Sequence, residues 1–513
     1  MKNFWRAIFS RTFMLLIIAV VQIGVFVWMT GYFSYTRIGS AAYTILTLAC
    51  TVIAVLTFER DNLNPAYKMM WMLVIVAAPL SGTLFYLWWG NRRITQKRSG
   101  RLSEIEQNVA AALRRTDTLT HRIEKEMPQY KRSIVYLEGQ RAPVYSGTKS
   151  EYFPLGQNFF LRFTEQLKTA RQYIYLEYFI IEEGKMWDST LEILKQKAAE
   201  GVDVRVIYDG LACMSTLPND YDKLLRSYGI KCFVFNDAHF SIHMTDYKML
   251  NHRDHRKITV IDGETGFSGG LNFADEYINE KRRFGTWKDT GFMLKGPAVY
   301  SLTLTFLTMW DFITGCVTDY EAYKPVGRYA TDGYVQPYCD SPVDGENVAE
   351  SAYFNIIDRA DNYVWIVTPY LVIDHEMLTS LCLAAKSGVD VRIMTPGIPD
   401  KWYVYYVTQS YYLELLQAGV RIFEYTPGFT HAKMYVSDDK VAIVGSANMD
   451  YRSLYLHFEN CCSFYGGHMP KDVKQDFIDT QAECREVTLD DANSVPLAKR
   501  FLQTILRVFA PMM

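Results

Sequence analysis

Three uncharged apolar runs fill most of the first ninety residues, at 13–33, 38–58 and 69–90. Each holds about 21 residues, enough for a helix to cross a hydrocarbon core of about 30 Å. The pattern therefore predicts a transmembrane helical anchor over residues 1–92. A cleaved signal peptide fits the first run less well: the run is too long for an h-region, no A-x-A site follows it, and the next run starts after only Ser34–Arg37.

Past residue 92 the pattern changes. Residues 93–150 are charged and permit helix, above all 101–131, and are expected to form a juxtamembrane linker. Thereafter short β-branched and apolar runs alternate with helical stretches, the signature of an α/β fold. The pattern also repeats. Gly201-Val-Asp-Val-Arg returns as Gly388-Val-Asp-Val-Arg, and Tyr228-Gly-Ile-Lys-Cys-Phe is echoed by Ala418-Gly-Val-Arg-Ile-Phe. Some 420 residues suit two lobes rather than one core, expected at 151–325 and 326–513. Each lobe would be a β-sheet flanked by helices, with the active site between them. At 495–513, Phe501, Ile505 and Val508 are segregated from Lys499, Arg500 and Arg507. This predicts a basic amphipathic helix, lying on a bilayer or packed on the second lobe.

The duplication extends to chemistry. His255, Lys257, Asp262, Gly269, Gly270 and Asn272 recur with identical spacing as His431, Lys433, Asp438, Gly445, Ser446 and Asn448. One chance match in such a chain is on the order of 10⁻⁵. The residues after each His and Lys read as a strand, on which positions i and i+2 share a face. Each pocket would then combine an imidazole, an ammonium and an amide donor beside small residues that admit a ligand. Two facing pockets offer two imidazoles and two ammonium groups to one phosphodiester. One His can attack phosphorus, the other can move protons, and the Lys and Asn pairs can stabilise the non-bridging oxygens.

The doubled motif resembles the HKD signature of the phospholipase D superfamily. Its context (Asn251-His-Arg-Asp-His-Arg-Lys-Ile, Gly269-Gly-Leu-Asn-Phe-Ala-Asp-Glu-Tyr, Trp287-Lys-Asp-Thr, Tyr425-Thr-Pro-Gly-Phe-Thr-His-Ala-Lys, Gly445-Ser-Ala-Asn-Met-Asp-Tyr-Arg-Ser) is similar to bacterial cardiolipin synthases over nearly the whole chain. The resemblance implies two pseudo-symmetric lobes and transfer of a phosphatidyl group between two phosphatidylglycerol molecules, with no cofactor or metal. It makes His255, Lys257, Asp262, His431, Lys433 and Asp438 the catalytic candidates, and inclines to His255 as nucleophile. Asn272, Asn448, Gly270 and Ser446 are the substrate-binding candidates. The resemblance also implies that Asp289 and Glu459 orient the histidines, leaving Asp262 and Asp438 a structural part at strand ends. The sequence departs from the family pattern at His457, where Asn is expected, and at Gly270, whose counterpart is Ser446.

Charge narrows the function classes. A net charge of −2 argues against a nuclease, which needs a basic footprint, and two intact motifs argue against a silent scaffold. A phospholipase D-type hydrolase and a phosphatidylserine synthase stay open as alternatives. The expected partners are phosphatidylglycerol and anionic membrane lipid, with no nucleic acid; oligomeric state is left open. Basic residues between Arg92 and Arg101 tip the catalytic part of this multi-pass protein to the cytoplasmic side, and nine cysteines without metal spacing agree with a reducing compartment. The rival metal reading rests on His239, His243, His252 and His255, which no Cys or carboxylate completes.

Overall fold

A computed structural model describes residues 37–59, 64–90, 96–113, 118–236, 252–325, 327–330 and 332–513, together with Gly24 and Trp28. The first predicted span, at 13–33, and His239 and His243 lie outside these residues, apart from those two. The described residues form two compact units, one made by those up to residue 90 and the other by those from residue 96 on.

In the first unit the second apolar run coincides with helix α1 (Arg37–Glu59). Ile45, Leu48, Val52 and Leu56, at helical spacing, are exposed on it. The third run is not one helix. Helix α2 (Pro65–Ala77) stops where Ala78 leaves the helical region at φ −143°, and Pro79, which has no N–H to continue the ladder, opens α3 (Pro79–Phe85). The chain then folds back. Tyr67 donates its hydroxyl to Gly90 O at 2.7 Å, and Trp71 packs on Phe85 and Tyr86 with ring centroids 5.4 Å apart. A straight helix would separate Tyr67 and Gly90 by roughly 34 Å. Gly82 permits the turn, since a Cβ there would meet Val74 O at 2.6 Å. Over the described residues alone, no helix is long and apolar enough to cross a membrane.

The second unit carries two mixed sheets. The strands between Lys149 and Lys295 are β1 (Lys149–Phe153), β2 (Tyr173–Tyr178), β3 (Asp203–Asp209), β4 (Lys231–Phe235), β5 (Arg253–Asp254), β6 (Lys257–Ile261), β7 (Thr265–Gly269), β8 (Thr286–Lys288) and β9 (Gly291–Lys295). Those of the second half are β10 (Tyr334–Asp340), β11 (Tyr363–Val367), β12 (Leu371–Val372), β13 (Asp390–Pro396), β14 (Arg421–Tyr425), β15 (Gly428–Thr430), β16 (Met434–Ser437), β17 (Val441–Gly445), β18 (Met449–Asp450), β19 (His457–Tyr465) and β20 (Cys484–Val487).

The duplication is visible in strand order. The first sheet runs β1-β9-β7-β6-β2-β3-β4 and the second β10-β19-β17-β16-β11-β13-β14-β20. Their central strands are buried along their whole length and, apart from Lys257 and Thr259 of β6, carry apolar or aromatic residues, as in sheets covered on both faces. Helix α4 (Val299–Thr314) lies against β2, β6 and β7 on one side and β10 on the other, with most of its residues buried. The lobes thus share one core, in which Phe292 meets Phe464 edge to face at 5.4 Å.

Two further pairings stitch the lobes together. Strand β5 pairs in parallel with β19, and β8 pairs in parallel with β15. A buried ion cluster anchors the first of these. Arg253 forks onto Asp209, and Arg256 bonds Glu177 at 2.7 Å and Asp254 at 2.9 Å.

Candidate active site

The two stitches set the histidines. His255 lies between β5 and β6, and His431 follows β15, so each precedes the strand on which it was expected. Each backbone N–H is held by the opposite lobe, His255 N by Phe458 O at 2.9 Å and His431 N by Lys288 O at 2.6 Å. The carboxylates are crossed in the same way. His255 Nδ1 stands 2.9 and 3.0 Å from the two oxygens of Glu459, and His431 Nδ1 stands 2.7 Å from Asp289 Oδ2. With Nδ1 occupied, Nε2 is the nitrogen left to face a substrate.

Both lysines are buried beside their own histidines. Lys257 and Lys433 each reach the carbonyl oxygen of the His two residues earlier, and Lys433 Nζ is also 2.8 Å from His431 Nδ1. Burial, reinforced by Lys257 and Lys433, drives both imidazoles well below their usual proton affinity, so in the free protein they are neutral at pH 7. Burial brings Lys257 down to about 7, although Glu459 opposes it, and Lys433 down to about 8, although Asp289 opposes it. Burial also lifts Asp289 to about 7 against the pull of Lys433.

Aromatic rings wall the pocket. Phe179 sits edge-on to His255 at 4.8 Å, while Trp287, Tyr277 and Phe429 surround His431 at 5.4, 5.6 and 5.9 Å. Such walls exclude water and strengthen every charge interaction inside.

The remaining predicted residues divide. Asp262 and Asp438, counted among the catalytic candidates, point away from the histidines. Asp262 accepts the backbone N–H groups of Arg171, Gln172 and Tyr173, and Asp438 those of Asp361, Asn362 and Tyr363. Both hold positive φ, 52° and 54°, at the turn that ends their strand, so they cap strands. Asn272 is occupied by Tyr277 Oη at 2.7 Å and by the Ile180 N–H at 3.2 Å, whereas Asn448 Oδ1 is buried without a partner. Gly270 and Ser446, expected to bind substrate, lie directly beside the acids. A Cβ on Gly270 would lie 2.1 Å from Asp289 Oδ1, and the hydroxyl of Ser446 donates to Glu459. The motif's one internal departure thus matches two carboxylates of different reach.

Sequence reasoning missed the place of His457. It is buried, its Nδ1 is 3.6 Å from Glu459 Oε1, and neither ring nitrogen has a hydrogen-bond partner. Burial pushes it down to about 3. The only available signal was its departure from the expected Asn. His255, His457 and Glu459 place ligand atoms within 4.8 Å of one another, the set among the described residues that could hold a metal ion. His252 is not part of it; its Nδ1 is 3.3 Å from Leu456 O.

Comparison with known proteins covers the same ground. The family model described as cardiolipin synthase, phospholipase D-like domain, matches residues 163–289 and again 353–480. The phospholipase D-nuclease N-terminal model matches 45–91. A cardiolipin synthase of Geobacillus sp. (strain WCH70) is 32% identical over 511 residues, covering 98% of this chain and 100% of that one. That of Geobacillus kaustophilus is 33% identical over 506 residues, 97% and 98% of the two chains. An uncharacterized protein of Streptococcus mutans is 41% identical over 470 residues, 90% and 99%. Among solved structures, phosphatidylserine synthase of Haemophilus influenzae shares the fold, with a TM-score of 0.57 at 14% identity over 74% of this chain and 97% of that one.

Proposed function

This chain belongs to the cardiolipin synthases with two phospholipase D-like domains and is a phosphatidyltransferase, and from that membership we propose how its residues carry out the transfer. Phosphatidylglycerol is the donor. Nε2 of His255 attacks its phosphorus, the bond to the glycerol headgroup breaks, and His431, protonated in the complex, gives its proton to the departing alkoxide. The bound phosphodiester's negative charge raises the proton affinity of His431, which takes up that proton from solvent as the lipid binds, while His255 stays neutral to attack. A hydroxyl of a second phosphatidylglycerol then attacks, yielding its proton to His431 as the P–N bond breaks, and cardiolipin leaves.

Lys257 and Lys433 neutralise the non-bridging oxygens. Glu459 and Asp289 fix the tautomers and stabilise each imidazolium as it forms. The observation that carries the reading is the crossed pair of histidine–carboxylate bonds on two buried imidazoles. Asp289, at about 7, takes up and releases protons near neutrality, which favours His431 as the proton carrier. On this reading the protein is membrane-bound, with the apolar segments of residues 1–92 as its anchor and the catalytic lobes, 151–325 and 326–513, on the cytoplasmic side.

Purified full-length enzyme in phosphatidylglycerol bilayers, with products resolved by mass spectrometry, tests the assignment. One glycerol per cardiolipin and little phosphatidic acid is the expected outcome. Phosphatidic acid without cardiolipin would replace the synthase with a phospholipase D.

A further inference from the structure

Helix α5 (Trp402–Ser410) packs against helix α6 (Leu497–Val508), and α6 is turned inside out. Leu497, Phe501, Ile505 and Val508 recur at intervals of four and three, which puts them on one face. That face is bare, with Leu497 81% and Phe501 68% exposed. The opposite face meets the protein: Lys499 donates to Gln409 Oε1 at 2.8 Å, Arg507 to Glu414 Oε2 at 3.0 Å, and Gln503 is the residue that α6 buries. A helix docked on a soluble domain does the reverse, burying its apolar stripe. Helix α5 adds Trp402, 59% exposed, and Tyr403, 38% exposed, to the same pair of helices. Lys401 and Arg500, both exposed, provide positive charge on them.

The patch is continuous with the site. Lys401 Nζ lies 4.8 Å over the Tyr370 ring, Tyr370 is 6.3 Å from Phe429, and Phe429 is 5.9 Å from His431. Lys401 is also among the charges that bear on both histidines.

We propose that the α5/α6 face is a docking surface for an anionic phospholipid bilayer, with its apolar stripe sunk to the headgroup–acyl boundary, so that the lipid phosphate enters past Lys401. This rests on the phosphatidylglycerol reading above. The chemistry is that of an interfacial helix: aliphatic and aromatic side chains inserted, Trp and Tyr at headgroup level, and basic residues drawn to anionic headgroups.

The test uses the full chain. Phe501→Ser with Ile505→Ser, and separately Trp402→Ser, are assayed on phosphatidylglycerol vesicles and on short-chain phosphatidylglycerol dispersed as monomers. The expected result is a loss of tenfold or more on vesicles with turnover on monomers unchanged. No loss on vesicles, or equal loss on both substrates, overturns the proposal. A fluorophore on Phe501→Cys, in a Cys316→Ser background that removes the exposed thiol, reports contact directly through quenching by brominated lipid. Absence of quenching, above all if light scattering shows a dimer that the Ser variants dissociate, assigns the face to a second copy and overturns the proposal. Because quenching needs no turnover, an enzyme inert towards phosphatidylglycerol would sink the functional reading and leave docking separately measured.

Discussion

Nδ1 of His255 lies 2.9 Å from Oε1 of Glu459, a residue 204 positions further along the chain in the other lobe. On the proposed mechanism the bond fixes the tautomer and leaves Nε2 to meet phosphorus. A carboxamide at Glu459 keeps the shape but cannot stabilise an imidazolium. Glu459→Gln is therefore expected to lower kcat by about 10²–10⁴ with little change in KM, as loss of an orienting carboxylate does elsewhere. Asp289→Asn should do the same through His431. A rise in KM alone in steady-state kinetics would show that these acids serve binding.

His255→Ala and His431→Ala should each abolish turnover while lipid binding persists. Rapid quenching of the wild-type enzyme with labelled phosphatidylglycerol, followed by peptide mapping, should find the phosphatidyl adduct on His255. An adduct on His431 would exchange the two roles.

The pH profile follows from the buried lysines and Asp289. A depressed lysine is charged below its pKa and loses that charge as pH rises, here through about 7 for Lys257 and about 8 for Lys433. Asp289 must be anionic, which requires a pH above about 7. kcat/KM should thus be bell-shaped with its maximum close to pH 7, where the Asp289 limb meets that of Lys257. On the alkaline side KM should rise by about tenfold or more as charge-assisted contacts to phosphate are lost. A flat profile from pH 6 to 10 would contradict the buried setting of these groups.

Asp262→Ala should cost about 1–3 kcal/mol of stability by stranding three backbone N–H groups, while kcat of the folded fraction stays near wild type. Asp262→Asn tolerates the positive φ and should lose less. Urea titration paired with turnover distinguishes this capping part from a catalytic one, in which kcat would collapse without a change in stability.

Activity should survive strong chelation. The oxygens of Glu459 are engaged by His255 and Ser446, and a metal bridging His255, His457 and Glu459 would take the acid away from the imidazole it orients. His457→Asn should accordingly retain turnover in EDTA. Loss of wild-type activity in EDTA with rescue by one divalent ion, absent in His457→Asn, would make that trio a working metal site.

Much of this was legible because it was written twice. The doubled spacing located His255, Lys257, His431 and Lys433, and the repeated Gly-Val-Asp-Val-Arg marked β3 and β13 as equivalent strands. Partners across the lobes were not legible by the same means: nothing in local spacing says that Glu459 serves His255, and only resemblance supplied it. The closeness of Gly270 and Ser446 to the two acids was not legible, because small residues look alike as ligand approach and as clearance for a carboxylate. The third apolar run was read as one span because composition ignores direction, yet Ala78-Pro79 and Gly82 turn the chain back within it. His457 was visible only as an oddity.

The crossed carboxylates have a consequence for ancestry. If each histidine draws its acid from the other half, a single lobe is not a smaller enzyme but an unfinished one. The arrangement is what two copies of one short chain would produce in a two-fold dimer, each lending its acid to its neighbour. Fusion would then have freed the copies to differ, one opening a glycine space beside Asp289 and the other placing the Ser446 hydroxyl on Glu459. Any change in the reach of an acid is then answered within its own half, by the small residue beside it, although the histidine it serves stands in the other.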